Sequence, residues 1–93
     1  MKYQNEVNAW ERGWLSGHKI ASRTMSIVNK FDPLGYFSIR TADVIAAFTY
    51  LYFRGLVTYE EFEDVWNEHV CPSQKDRFEE YVKFANNMLK GEK

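Results

Sequence analysis

The sequence of 93 residues contains a single cysteine, Cys71, so no disulfide can form within the chain. A small domain with one thiol and no disulfide is typical of a reducing compartment, and we therefore expect a cytoplasmic protein. The N-terminal residues lack the apolar segment of a secretory signal, and no apolar run approaches the roughly 18–20 residues of a membrane span. With only two prolines and five glycines, the chain is neither collagen-like nor of low complexity.

Net charge is also small, at −1, but the two halves of the chain differ. Residues 1–54 carry seven basic and four acidic side chains, whereas residues 55–93 carry five basic and nine acidic ones. Such polarity favours oriented contact with another protein or with a second copy as a homo-oligomer. Nucleic-acid readers are usually basic overall, so this class is less expected.

Hydrophobic periodicity predicts a single all-α domain over residues 1–93, built as a compact four-helix fold. The first helix is predicted from Tyr3 to Asn29, because apolar residues recur there at spacings of three, four and seven. Gly13 and Gly17 lie inside it, and each costs about 1 kcal/mol relative to alanine, which leaves open whether the helix breaks there.

An apolar loop at about residues 30–40 is predicted next, since Pro33 disfavours helix before it and Gly35 accommodates a positive φ. Its apolar side chains include Tyr36, Phe37 and Ile39, and we expect part of the loop to pack down. A short extended segment is one conformation that we expect for the packed part of the loop.

Residues 44–53 are almost entirely apolar and are predicted to form a buried central helix. Thr41 is its expected N-cap, with Asp43 favourable in the first turn. The alternative is a buried strand over residues 48–53, because a short apolar run has no distinguishing period.

Two further helix starts are predicted. Thr58 and Glu61 have the spacing of a capping box, in which each side chain bonds the other residue's backbone N–H. Ser73 with Asp76 is predicted to open the fourth helix in the same way.

Catalytic and metal-binding signals are weak. His18, His69 and Cys71 lack the spacing of a zinc site, and we expect no metal or other cofactor. The paired carboxylates are accompanied by no catalytic motif, and the glycine-rich phosphate loops and the GxSxG motif are missing from the sequence. The chain is therefore predicted not to be an enzyme.

Aromatic residues make up 17 % of the chain. Four short helices cannot enclose every ring, and exposed aromatic residues are typical of protein interfaces, although a core built of rings is an equally good explanation. We expect a small protein-binding module that acts as an inhibitor or adaptor by occupying a partner's surface; a host-directed inhibitor from a mobile element is one such protein. Apolar contact is assigned to Tyr3, Trp10 and Trp14, and electrostatic contact to Glu60, Asp64 and Glu68.

Nucleic-acid binding is the alternative function. Four basic residues fall within a narrow sector of the first predicted helix, at spacings of seven, four and seven. A ridge of this kind is suited to contacting phosphates. The four are Arg12, Lys19, Arg23 and Lys30.

Overall fold

The computed structural model describes residues 4–15 and 19–90. These residues form five α-helices and one 3₁₀ segment, and they contain no strand. The all-α prediction is confirmed, and the radius of gyration of 12.1 Å matches the roughly 12 Å of a compact chain of this length. The elements are α1 (Gln4–Leu15), α2 (Lys19–Phe31), α3 (Ile39–Phe53), α4 (Tyr59–His69), the 3₁₀ segment (Pro72–Arg77) and α5 (Phe78–Lys90).

Over the first predicted helix, from Tyr3 to Asn29, the described residues form two helices, α1 and α2, so the break that the sequence leaves open does occur. The indole Nε1 of Trp10 donates to Oγ1 of Thr24 at 3.1 Å, across a separation of 14 residues. In one continuous helix the same separation would span about 21 Å. Helix α1 therefore packs back against α2, and Gly17 lies outside the described residues.

Helix α3 is the buried centre of the fold, and the strand alternative is wrong. Ile45, Ala46, Ala47 and Phe48 are fully buried, and α1, α2 and α4 all pack against this helix. Because neighbours cover it on several sides, an apolar residue suits almost every position, which explains the missing period.

The helix begins earlier than predicted, so Thr41 is not its N-cap. Ser38 caps α3, with its Oγ accepting from the backbone N–H of Thr41 at 3.1 Å. Thr41 lies in the first turn, and its hydroxyl donates to the backbone carbonyl of His69 at 3.2 Å. This bond joins the start of α3 to the end of α4.

The capping box of α4 is confirmed. Oγ1 of Thr58 accepts from the backbone N–H of Glu61 at 3.1 Å, and Oε1 of Glu61 accepts from that of Thr58 at 2.9 Å. By contrast, Ser73 does not cap the last helix, because the 3₁₀ segment begins at Pro72, one residue earlier, and α5 begins at Phe78. Proline suits a first helical position, where its missing N–H has no intrahelical partner.

Most of the described aromatic side chains are buried, which favours the explanation that the core is built of rings. Trp66 and Tyr81 are fully buried, and Phe31 meets Tyr81 edge-to-face with 5.0 Å between ring centroids. The Thr49 hydroxyl donates to the Ile45 carbonyl at 2.7 Å, so its oxygen is left to accept from the Tyr81 hydroxyl. Burial raises the pKa of Tyr81 far above its ordinary value, and this phenol therefore stays neutral.

Candidate functional site

The loop between α2 and α3 is held in place by one carboxylate. Oδ1 of Asp32 accepts from the backbone N–H of Tyr36 at 2.9 Å, and Oδ2 accepts from that of Phe37 at 2.8 Å. The N–H of Gly35 donates to the Asp32 carbonyl at 3.2 Å, and Gly35 has a φ of +77°. Glycine takes this left-handed conformation at little cost, so the loop closes without strain.

The ordered loop turns its side chains in two directions. Phe37 is buried, and its ring meets Trp66 edge-to-face at 5.5 Å. Leu34 and Tyr36 point outward and are 78 % and 53 % exposed. The expectation that part of the loop packs down therefore holds for Phe37, whereas Ile39 begins α3 and is 86 % exposed. We call Leu34 and Tyr36 the loop surface.

A groove of about 390 Å³ separates the loop surface from α5. The rings of Phe31 and Phe84 line it, together with Arg77 of the 3₁₀ segment and Glu80 of α5. The Arg77 guanidinium lies 4.4 Å from the centroid of the Phe31 ring. It also donates to Oε2 of Glu80 at 2.9 Å and to Oε1 of Gln74 at 2.8 Å. These contacts hold the Arg77 side chain in place beside the Phe31 ring, and both residues line the groove.

The acidic residues predicted for electrostatic contact share one exposed line. Glu60, Asp64 and Glu68 are spaced four residues apart on α4, and all three are exposed. Oε2 of Glu68 lies 4.0 Å from Nε2 of His69. A line of this kind attracts a basic partner at a distance, because exposed charges act mainly on the rate of association.

The aromatic residues predicted for apolar contact are not presented together. Trp10 is only 2 % exposed and hydrogen-bonds to Thr24, so it belongs to the core, and its assignment as a surface anchor is wrong. Its large ring packs against α2 at Thr24, which a single straight helix would not allow. Tyr3 and the side chain of Trp14 lie outside the described part of the structure.

The basic ridge is divided by the break between the first two helices. Arg12 lies exposed on α1, whereas Lys30 is exposed and Arg23 half-buried on α2. The Lys19 side chain is outside the described part. Because α1 turns back on α2, the spacing of seven between Arg12 and Lys19 no longer places them on one helical face.

No group of metal ligands converges among the described residues. Among residues 4–15 and 19–90, no three His, Cys, Asp or Glu side chains are placed to hold a metal ion. Nε2 of His69 is buried without a hydrogen-bond partner among the described residues, and His18 lies outside them. Sγ of Cys71 lies 3.4 Å from the Ser73 hydroxyl. None of the helices in these ranges is long and apolar enough to cross a membrane.

Leu34 and Tyr36 were not singled out as binding residues from the sequence, although a signal for their loop is present. Asp32, Pro33 and Gly35 occupy the first, second and fourth positions of a turn, where each of these residue types is favoured. An aspartate there commonly bonds nearby backbone N–H groups, which orders the loop. The sequence thus indicates that the loop has a fixed conformation, but it does not indicate in which direction the side chains point.

Comparison with known proteins yields no relative. The chain matches no family model, no curated protein and no solved structure. A function for this protein therefore has to be argued from its own surface.

Proposed function

We propose that this chain is a non-enzymatic, cytoplasmic binding module that acts as an inhibitor or adaptor by contacting another protein through the loop surface. The observation that carries the proposal is the fixed outward position of Leu34 and Tyr36 beside a groove. Exposed apolar groups rimmed by polar residues are typical of protein interfaces. Tyrosine is also among the residues that most often dominate binding energy.

The rigidity of the loop favours binding. A side chain that becomes immobile at an interface loses about 0.5–1.5 kcal/mol in conformational entropy. Loops that become ordered on binding lose entropy as well, and because Asp32 already orders the backbone at Tyr36, this loop loses less of it. Full burial of a leucine side chain contributes about 1.5–3 kcal/mol, so a partner that covers Leu34 gains appreciable affinity.

The acidic line of Glu60, Asp64 and Glu68 gives the proposal a second element. These exposed carboxylates would speed encounter with a partner that has a basic surface. A host protein targeted by a mobile element is one partner that fits, and a second copy of this chain is another. A binding experiment distinguishes these two partners, because in the second case the bound protein is this chain itself.

A comparative pull-down tests the proposal. The tagged protein is incubated with native lysate, with and without nuclease, and bound proteins are quantified by mass spectrometry. Wild type is compared with the double variant Leu34→Ser/Tyr36→Ser and with the control Leu56→Ser. Leu56 is 63 % exposed in the turn between α3 and α4, so its replacement removes a similar apolar side chain elsewhere.

The proposal predicts a near-stoichiometric protein that survives nuclease, is lost with the double variant and is retained by the control. Equal retention by wild type and the double variant would place binding elsewhere. Recovery of nucleic acid alone would favour the alternative function through Arg12, Lys19, Arg23 and Lys30. That binding should weaken steeply with salt and disappear in Lys19→Glu/Arg23→Glu.

A further inference from the structure

A second groove, of about 260 Å³, lies on another part of the surface and combines cationic with aromatic side chains. It forms where α2, the end of α3 and the end of α5 meet, so three elements that are distant in sequence contribute to it. Of the described residues that line it, two are arginines and none is acidic. The lining residues are Arg23, Thr24, Tyr50, Phe53, Arg54 and Leu89.

The orientation of Arg54 determines what this groove suits. Its guanidinium carbon lies 5.5 Å from the centroid of the Tyr50 ring, and the side chain is exposed at the C-cap of α3. A guanidinium over an aromatic ring keeps the N–H groups along its edge available to oxygen atoms. Those groups match the two oxygens of a carboxylate or phosphate.

The remaining walls are apolar. Tyr50, Phe53 and Leu89 are all partly buried against the core, which fixes their positions and leaves part of each accessible. Arg23 adds a second guanidinium to the lining. The hydrogen bond between Trp10 and Thr24 holds α1 against the α2 wall.

We propose that this groove binds a small aromatic anion, with its charged oxygens on the edge of Arg54 and its ring against Tyr50, Phe53 and Leu89. Charge complementarity selects the anion, because Arg54 presents its guanidinium there and none of the described residues that line the groove is acidic. A groove of about 260 Å³ is small for a drug-sized ligand, so the proposed ligand is a single ring with one charged group. This site is separate from the loop surface and does not depend on the proposed protein binding.

A titration with phenyl phosphate, monitored by two-dimensional ¹H–¹⁵N NMR of the full chain, tests the proposal. Saturable shifts are expected at the backbone amides of Arg54 and Leu89. Inorganic phosphate, which has the charge without the ring, and phenol, which has the ring without the charge, should each bind at least about tenfold more weakly. Equal binding of phosphate and phenyl phosphate would show that the apolar walls take no part and would overturn the proposal.

Matched variants complete the test. Arg54→Glu should weaken phenyl phosphate at least about tenfold, because a reversed charge turns attraction at about 4 Å into repulsion. Arg40→Glu, which reverses another exposed arginine of α3, should leave the affinity unchanged. Arg54→Lys keeps the charge but loses the planar donor edge, so it should fall between wild type and Arg54→Glu.

Three further results would overturn the assignment of this site. They are shifts that do not saturate, an equal loss in Arg40→Glu and Arg54→Glu, and wild-type affinity in Arg54→Lys. The NMR spectrum of each variant reports directly whether its fold is kept.

Discussion

The two connections at either end of α3 resemble each other in sequence but are built differently. Each contains a glycine with positive φ, Gly35 at +77° and Gly55 at +75°, and each exposes a leucine just beside that glycine. The turn after α3 is closed by the backbone alone, since the Gly55 N–H donates to the Tyr52 carbonyl and the next N–H to that of Leu51. This is the Schellman pattern of an ordinary helix end.

The loop before α3 has no such pattern and depends on the side chain of Asp32. The exposed Leu56 thus accompanies a helix stop that many sequences satisfy, whereas Leu34 and Tyr36 are held outward by a dedicated carboxylate. An exposed apolar residue alone says little about function. One held in place beside a groove is a better indication of a contact surface.

Among the variants that compare the two connections, Asp32→Ala should cause the largest loss in the free energy of unfolding. Both carboxylate bonds to the backbone would be lost, and since bonds to charged groups contribute about 1.5–3 kcal/mol each, we expect a loss of about 2 kcal/mol in a partly solvated loop. Urea unfolding measures the change. Asp76→Ala, at an exposed aspartate of the 3₁₀ segment, should stay within about 0.5 kcal/mol of wild type. Equal effects of the two variants would remove the special role of Asp32.

Gly35→Ala and Gly55→Ala should each destabilise the fold by about 1 kcal/mol, because alanine is disfavoured at positive φ. A Cβ at either position would meet no atom within 4 Å, so the cost is conformational in both cases. Thermal unfolding of the two variants should therefore give similar shifts. A neutral Gly35→Ala would show that the loop rearranges freely and is not fixed.

Asp43→Asn should give a small stabilisation that depends on pH. Burial, and then the nearby Glu11, raise the pKa of Asp43 above its ordinary value of 3.8 in the folded protein. The folded state therefore binds this proton more tightly than the unfolded state, and stability is lost as pH rises from about 3.8 through the folded pKa. Unfolding curves should favour the variant at pH 7 and coincide below about pH 3. A variant equally stabilised at both pH values would contradict this origin.

Leu34→Ser and Leu56→Ser should leave the free energy of unfolding within about 0.5 kcal/mol of wild type, since both side chains are already exposed. The two leucines are expected to differ only in binding. Chemical unfolding checks this directly. A clear destabilisation by Leu34→Ser would mean that this side chain serves the fold.

Features of the fold set by neighbouring residues were predictable from the sequence. The capping box at Thr58 and Glu61 is local chemistry, and the alanines of the central helix favour a helix over a strand. The break before α2 is different, because two interior glycines permit a bend without requiring it. The bend is accompanied by contacts that exist only in the folded chain, such as that of Trp10 with Thr24.

The same limit explains the errors at the surface. Periodicity places Trp10 on the apolar stripe of its helix, but the stripe does not reveal which ring another helix covers. The basic ridge is divided for a related reason, since Arg12 and Lys19 share a face only if the helix is continuous. Residues on a single undivided helix, such as Glu60, Asp64 and Glu68, were placed correctly on one line.

Site-specific photo-crosslinking in the native cell tests the central claim most directly. A photoreactive phenylalanine derivative is placed at Leu34 or, as the matched control, at Leu56, and the crosslinked products are identified by mass spectrometry. We predict one discrete protein adduct from position 34 and none of that adduct from position 56. The absence of any adduct from position 34, or the same products from both positions, would contradict a role of the loop surface in binding.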